Sequence, residues 1–145
     1  MDTIKVRKHV SQMTEADIIY CSARVLCSAQ EDITITGHAQ VRLISHHIYI
    51  PDIKKLLMQD FRVVECEKIT TRPRIECVGE ESIPVPIPSH IEERIVVRMP
   101  YSQYSDISLC INTTDNCLVT AWTNGRNDHH ENIDMSIYTK ELKLW

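Results

Sequence analysis

The spacing of apolar positions changes near residue 60: before it they recur every three or four residues, after it they mostly alternate. Ile18, Ser22, Val25, Leu26 and Ala29 keep helical spacing, and Thr14 precedes them with Asp17 three places on. A capping hydroxyl followed at that distance by an acid opens helices, so a first helix is predicted over about 14–30. Ile33-Thr34-Ile35 then leads into a second helix with Thr36 as its N-cap. His38, Arg42 and His46 fall four apart on it as a polar column, while Ala39, Val41, Leu43 and Ile44 supply apolar surface. Pro51 suits the first turn of a third, short helix, where its missing N–H has no partner anyway. Ile53, Leu56 and Leu57 give that helix its stripe.

From Phe61 the pattern reads as strand. Phe61–Cys66 and Arg74–Val78 alternate imperfectly around a turn at Thr70–Pro73. Ile83–Pro88 carries three prolines and is predicted as an edge or an extended loop. Arg94–Met99, Ile107–Asn112 and Cys117–Thr123 give the clearest sheet signal, the last two joined by a tight turn at Thr113–Asn116. Helices first and an antiparallel sheet after them predict an α+β fold, with N-terminal helices packed on a twisted sheet of four or five strands.

The 145 residues suit one domain, 1–145, with 1–32 read as an N-terminal helical extension to a core over 33–145. No stretch has the apolar length of a membrane span, and no signal-peptide core opens the chain, so a cytoplasmic protein is expected. The six cysteines form no C-x-x-C pair and are expected as buried, reduced thiols. A net charge of −4 disfavours a general nucleic-acid coat. The charge is uneven, however. Residues 37–77 carry seven basic against five acidic residues, net +2, and residues 78–145 carry five against ten, net −5. Arg42, Lys54, Lys55, Arg62, Lys68, Arg72 and Arg74 could therefore form a basic rim.

The chemistry concentrates in two places. Thr120-Ala-Trp-Thr-Asn124 puts hydroxyl, indole and amide groups at the end of a strand, and Asp128-His129-His130 follows it. Upstream, His38 and Arg42 stand one above the other on a helix face. The pair supplies a proton-transfer group and a phosphate clamp. His129-His130-Glu131 invites a metal reading, but adjacent histidines diverge in a strand, no His-x-x-x-His spacing accompanies them, and no metal or cofactor is expected.

His38-Ala39-x-x-Arg42-Leu43-x-x-His46-His47-Ile48, together with Thr120–Asn124, resembles a family of small bacterial and phage proteins in the barnase–EndoU–colicin–RelE group of ribonuclease toxins. The resemblance covers about residues 33–140 and leaves 1–32 outside it. It implies N-terminal helices against a four- or five-stranded antiparallel sheet, an active site on the sheet face, and metal-independent RNA cleavage. It also implies RNA as partner, an antitoxin, immunity or host protein as a second one, and the host cytoplasm as location if phage-encoded; a homodimer is kept open. His46 stands where the family has a second arginine and His47 where it has glycine. A clamp at that point is then only partly charged near neutral pH, or lies instead at Arg72, Arg74 or Arg98.

On this reading His38, Arg42, Thr120 and Asn124 are the catalytic candidates, and His46, Trp122, Arg98 and Tyr138 the substrate contacts. A histidine transfers protons near neutral pH, and a guanidinium binds phosphate oxygens in pairs. Each residue also has a structural reading. His38 would cap or solvate the helix start, and Arg42 would pair with Glu65, Glu67 or Glu76. Trp122 and Tyr138 are favoured as packed aromatics, and Thr120 and Asn124 would close a turn about Asn124-Gly125. The competing functions are a non-catalytic effector that binds host protein or RNA on the same fold, and a metal-dependent hydrolase.

Overall fold

The computed structural model describes residues 3–125 and 135–140. In chain order it contains β1 (Thr3–His9), a 3-10 turn (Val10–Gln12), α1 (Glu15–Gln30), β2 (Thr34–Ile35), α2 (Gly37–Ser45) and α3 (Asp52–Leu57). Then come β3 (Arg62–Thr71), β4 (Arg74–Val78), β5 (Ile83–Ile87), β6 (His90–Pro100), β7 (Ser105–Asn112), β8 (Cys117–Gly125) and a 3-10 turn (Met135–Ile137). The fold is α+β. Its main sheet has six strands in the order β1-β3-β6-β7-β8-β2, and β4-β5 form a separate two-stranded ribbon. No described helix is long and apolar enough to cross a membrane.

The expected sheet of four or five antiparallel strands is thus corrected to six, and it is mixed. Two strands escaped the pattern. β2 has two residues, pairing parallel to β8 through Thr34↔Cys117 and Ile35↔Leu118. β1 lies in the segment expected to be helical, and pairs with β3 from Thr3↔Thr71 to His9↔Glu65. It carries only two apolar residues. Its Lys8 is buried and donates to the Thr139 carbonyl, while the Thr139 amide donates to the Arg7 carbonyl. An edge strand rich in lysine and arginine resists unwanted pairing, which is why its pattern looks so little like a core strand.

Three helices cover one face of this sheet. Cys21, Val25 and Ala29 of α1, Ala39 and Leu43 of α2, and Ile53, Leu56 and Leu57 of α3 pack on Cys66, Ile95, Val97, Met99, Ile107, Leu109, Ile111, Leu118 and Ala121. Thr14 and Asp17 form the capping box read from the sequence, each side chain accepting from the other residue's amide at 3.1 and 3.0 Å. Thr36 caps α2 by accepting from the Ala39 amide at 3.1 Å. Val41 and Ile44, expected as apolar packing surface, are exposed instead, because α2 buries only its Ala39–Leu43 stripe. Of the cysteines, Cys27 and Cys77 are exposed, so the expectation of buried thiols fails for them. Among the described residues all six are free thiols.

Two β-bulges set which side chains face where. In β3 the register against β6 shifts between Val63 and Glu65, so the buried Val63 and Cys66 are three apart rather than two. In β8 the register against β7 passes from Ile111↔Leu118 to Cys110↔Thr120, leaving Val119 as the extra residue. A bulge reverses the in-out phase of everything beyond it. Leu118 and Ala121 therefore both face the helices, and Thr120, Trp122 and Asn124 are turned to the other side.

Candidate functional site

The side of the sheet away from the helices carries the candidate chemistry. Opposite residues of an antiparallel pair share a face, so the pairs Arg7↔Glu67, Glu65↔Val96, Glu67↔Arg94, Val96↔Cys110 and Cys110↔Thr120 align across five strands. They border a hollow of about 230 Å³ lined by Arg7, Glu65, Glu67, Arg94, Val96, Cys110, Thr120 and Trp122. Trp122 is half-buried on this surface, not in the core. Plain alternation along β8 would put Trp122 on the same face as the buried Leu118, and the Val119 bulge reverses it.

Alongside β8 runs α2. The Thr36 amide donates to the Leu118 carbonyl at 3.2 Å and its hydroxyl to the Val119 carbonyl at 3.2 Å, so the helix starts where the two-residue β2 ends. This brings His38 Nε2 to 3.4 Å from Thr120 Oγ1 and His46 Nδ1 to 3.1 Å from Thr123 Oγ1. Segments more than 80 positions apart in sequence thus meet at His38 and Thr120, while neither His38 nor Arg42 lines the hollow. The polar column straddles the strand. Its first histidine touches a threonine of the open face, and its last a threonine of the helix face. Arg42 is exposed between them and has no side-chain partner among the described residues. The acids expected to hold it pair elsewhere: Glu65 with Arg7, Glu67 with Lys5 and Glu76 with Arg74.

The hollow is charged but balanced. Arg7 donates through Nε and Nη2 to the two carboxylate oxygens of Glu65 at 2.5 and 3.1 Å. That double hydrogen bond holds the guanidinium even more firmly protonated than usual. Arg94 binds Glu92 at 3.1 and 3.0 Å. Burial works against its charge, and the Glu92 contact outweighs it, so its pKa is raised. Tyr138 is buried at the margin with its hydroxyl 3.3 Å from Glu65 and its ring 5.3 Å beneath the Arg7 guanidinium. Burial first, then the Glu65 charge, raise its pKa and keep the hydroxyl a donor. Cys110 has its thiol pushed up to about 11 by burial, so it lines the hollow as a neutral group and not as a nucleophile.

Two expected contacts are placed differently. Arg98 is 2% exposed, donates from Nε to Asp106 Oδ2 at 2.9 Å and from Nη2 to the Gly125 carbonyl at 3.2 Å. It is enclosed in an ion pair and presents nothing to a ligand. Asn124 accepts from the Ser108 hydroxyl at 3.0 Å and lies four residues along β8 from Thr120, so it does not orient His38; it stands within β8, opposite Asp106. Arg72 and Arg74, the other clamps considered, do not line the hollow. Nor do the cations of residues 42–74 gather into a rim. Lys68 pairs with Glu93, Arg62 with Asp106, and Arg74 with Glu76 on the ribbon. Asp128, His129, His130 and Glu131 lie outside the described residues. Among the described residues no three His, Cys, Asp or Glu side chains are grouped to hold a metal ion.

Arg7, Glu65, Glu67, Arg94 and Cys110 were missed in the sequence. A signal was present, since Glu65 and Glu67, Glu92 and Arg94, and Lys5 and Arg7 are each two apart, the spacing of one strand face. Fold and site together define an α+β protein whose sheet is helix-covered on one side and bears a polar hollow on the other. No family model, no curated protein and no solved structure matches the chain.

Proposed function

We propose that the open sheet face holds a short single-stranded RNA segment and that His38 promotes its cleavage without a metal ion. The observation that carries the reading is the His38–Thr120 contact beside a hollow that also contains Trp122. In this reaction the 2′-oxygen loses its proton, attacks the adjacent phosphorus and forms a cyclic phosphate. The 5′-oxygen leaves and takes up a proton. His38 transfers protons, and the Thr120 hydroxyl holds its imidazole in one orientation. Arg42, one helical turn further along, meets the phosphate charge, and the amides at the start of the nine-residue α2 add donors. Trp122 offers a stacking surface to a base, and Tyr138 lies at the margin beside Arg7.

The test is incubation of the purified chain with total RNA in EDTA, followed on a denaturing gel. Wild type should give fragments ending in cyclic phosphate, and His38→Ala should lower the rate by a factor of about 100 or more. No product at high protein concentration, or equal rates for the two proteins, would defeat the proposal.

One observation favours a second reading, a non-catalytic effector that binds host protein or RNA through the same face. Both arginines of the hollow are already matched by carboxylates, which leaves little free positive charge for a phosphorane. Binding in a gel shift or pull-down that survives His38→Ala, without any product, selects this version.

A further inference from the structure

The ribbon of β4 and β5 is a continuation of the β3–β6 pair. Thr71↔His90 and Arg74↔Ile87 belong to one register, which sets Pro73 opposite Pro88 at the break. Two facing prolines supply no amide donors, so the ladder lapses there and the distal part stands as a separate arm. Ser89 closes its base by donating to the Thr71 carbonyl at 3.0 Å, and the tip turns through Gly79–Ser82, with φ of 76° at Gly79 and 52° at Ser82. The arm is apolar and exposed: Ile75 is 73% accessible, Ile83 53% and Val78 44%. An open groove of about 430 Å³ runs along Pro73, Arg74, Ile75, Pro86, Ile87 and Pro88.

The two edges of the arm differ. Pro84 and Pro86 cannot donate, so the ladder is carried by Ile83, Val85 and Ile87 facing Val78, Glu76 and Arg74. Backbone groups of the alternate residues point outward. On β5 those residues are Pro84 and Pro86, which offer carbonyls alone and block a further strand. On β4 they are Ile75 and Cys77, each with a donor and an acceptor. One edge is closed by proline and the other is open.

We propose that this open edge of β4 pairs, antiparallel and about a two-fold axis at Ile75, with β4 of a second copy of the chain. Charge selects both the occupant and the register. Pairing centred on Glu76 would set that carboxylate against its own copy. Centring on Cys77 would set Glu76 against Val78 and Arg74 against Glu80, which lies in the turn beyond β4, so neither charge would be matched within the strand. Centring on Ile75 places Arg74 across from Glu76 of the second copy, and the two-fold axis repeats the match. The strand is its own complement, as a closed two-fold interface requires. Within one chain Arg74 Nε already lies 2.6 Å from Glu76 Oε1, so both charges stand on one face, ready to form a four-membered set. The apolar face, where Ile75 lies beside Pro86 and Cys77 beside Pro84, becomes continuous across the axis.

Sedimentation velocity on the whole chain tests this between about 10 and 500 μM, the range suited to a small interface. The dimer fraction should rise with concentration. Arg74→Glu and Glu76→Arg should each abolish it, and the double variant R74E/E76R should restore it, because the swap recreates both cross-chain matches. Both residues lie on the arm, so folding, followed by circular dichroism, should not change. A chain that stays monomeric throughout, or a dimer that survives either single reversal, overturns the proposal. The register is tested with Ile75→Cys in a Cys77→Ser background. Cα atoms of a hydrogen-bonded antiparallel pair stand about 5.5 Å apart, within reach of a disulfide. Oxidised glutathione, which is reduced as the two thiols join, should convert this variant to a covalent dimer. Cross-linking of wild type through Cys77 with none at position 75 would refute the Ile75 axis.

Discussion

At the residue scale the firmest polar centre is Glu93, on the helix side of β6. It is 4% exposed and receives Tyr20 Oη at 2.8 Å, Thr113 Oγ1 at 2.6 Å and Arg24 Nε at 3.3 Å, with Lys68 Nζ at 3.5 Å. Burial alone would raise its pKa. The hydrogen bonds from Thr113 and Tyr20, then the Lys68 charge and the Arg24 bond, overcome that and lower it. Glu93→Gln should therefore cost about 2–3 kcal/mol at pH 7, the range for a buried, charge-assisted network. Because the folded pKa lies below the unfolded value of about 4.3, the contribution is whole above that value and is lost as pH falls through the folded one. Urea unfolding of the two proteins should show the gap closing as pH falls below the unfolded carboxylate value of about 4.3, and a gap constant with pH would contradict this origin. None of this could be read from the chain, because adjacent acids at 92 and 93 give no sign of which faces inward. The same holds for Trp122 and Arg98. Their surroundings depend on strand phase, and the Val119 bulge leaves no mark in residue type.

At the scale of elements, caps were legible and edges were not. Thr14 with Asp17 and Thr36 announced α1 and α2, since one hydroxyl three residues from an amide is a local event. β1 and β2 are held by partners about 60 and 80 positions away, and their few apolar residues say little alone. The C-terminus of α2 joins the two cases. The His47 amide donates to Ile44 at 3.0 Å and the Ile48 amide to Leu43 at 2.9 Å, while Leu43 and Ile48 are both buried. This is a Schellman closure. Its turning residue is His47 at φ 58°. A left-handed backbone strains any residue with a Cβ, and glycine's extra chain entropy recovers only part of the difference. His47→Gly should stabilise the protein by about 0.5–1 kcal/mol, seen as a higher denaturation midpoint with an unchanged slope. A lower midpoint would mean that the imidazole holds contacts worth more than the strain.

For the molecule as a whole, charge decides how RNA could be held. The chain carries −4, so at long range it repels a polyanion. Arg7 and Arg94, the cations lining the hollow, are matched by Glu65 and Glu92, and the helix-covered side sequesters Lys68 with Glu93. Arg42 is the exposed cation on the α2 face that also carries His38, and it has no side-chain partner among the described residues. Binding on this face must then draw on stacking and hydrogen bonds more than on counterion release. A ligand that frees ions at only one or two cations gives a logarithmic salt slope no steeper than about −1.5, against much steeper values for basic nucleic-acid binders. Trp122→Ala should weaken single-stranded RNA binding by about 10- to 100-fold, the worth of one stacked base, while Arg42→Ala should flatten the slope by less than one unit. Fluorescence anisotropy with a labelled oligonucleotide over about 50 to 300 mM salt separates the contributions. If the slope proves steep, and Trp122→Ala binds like wild type, the RNA is held by cations elsewhere on the surface. The hollow would then be a buttress between strands, its paired charges fixing the sheet edge to the Tyr138 segment rather than receiving a ligand.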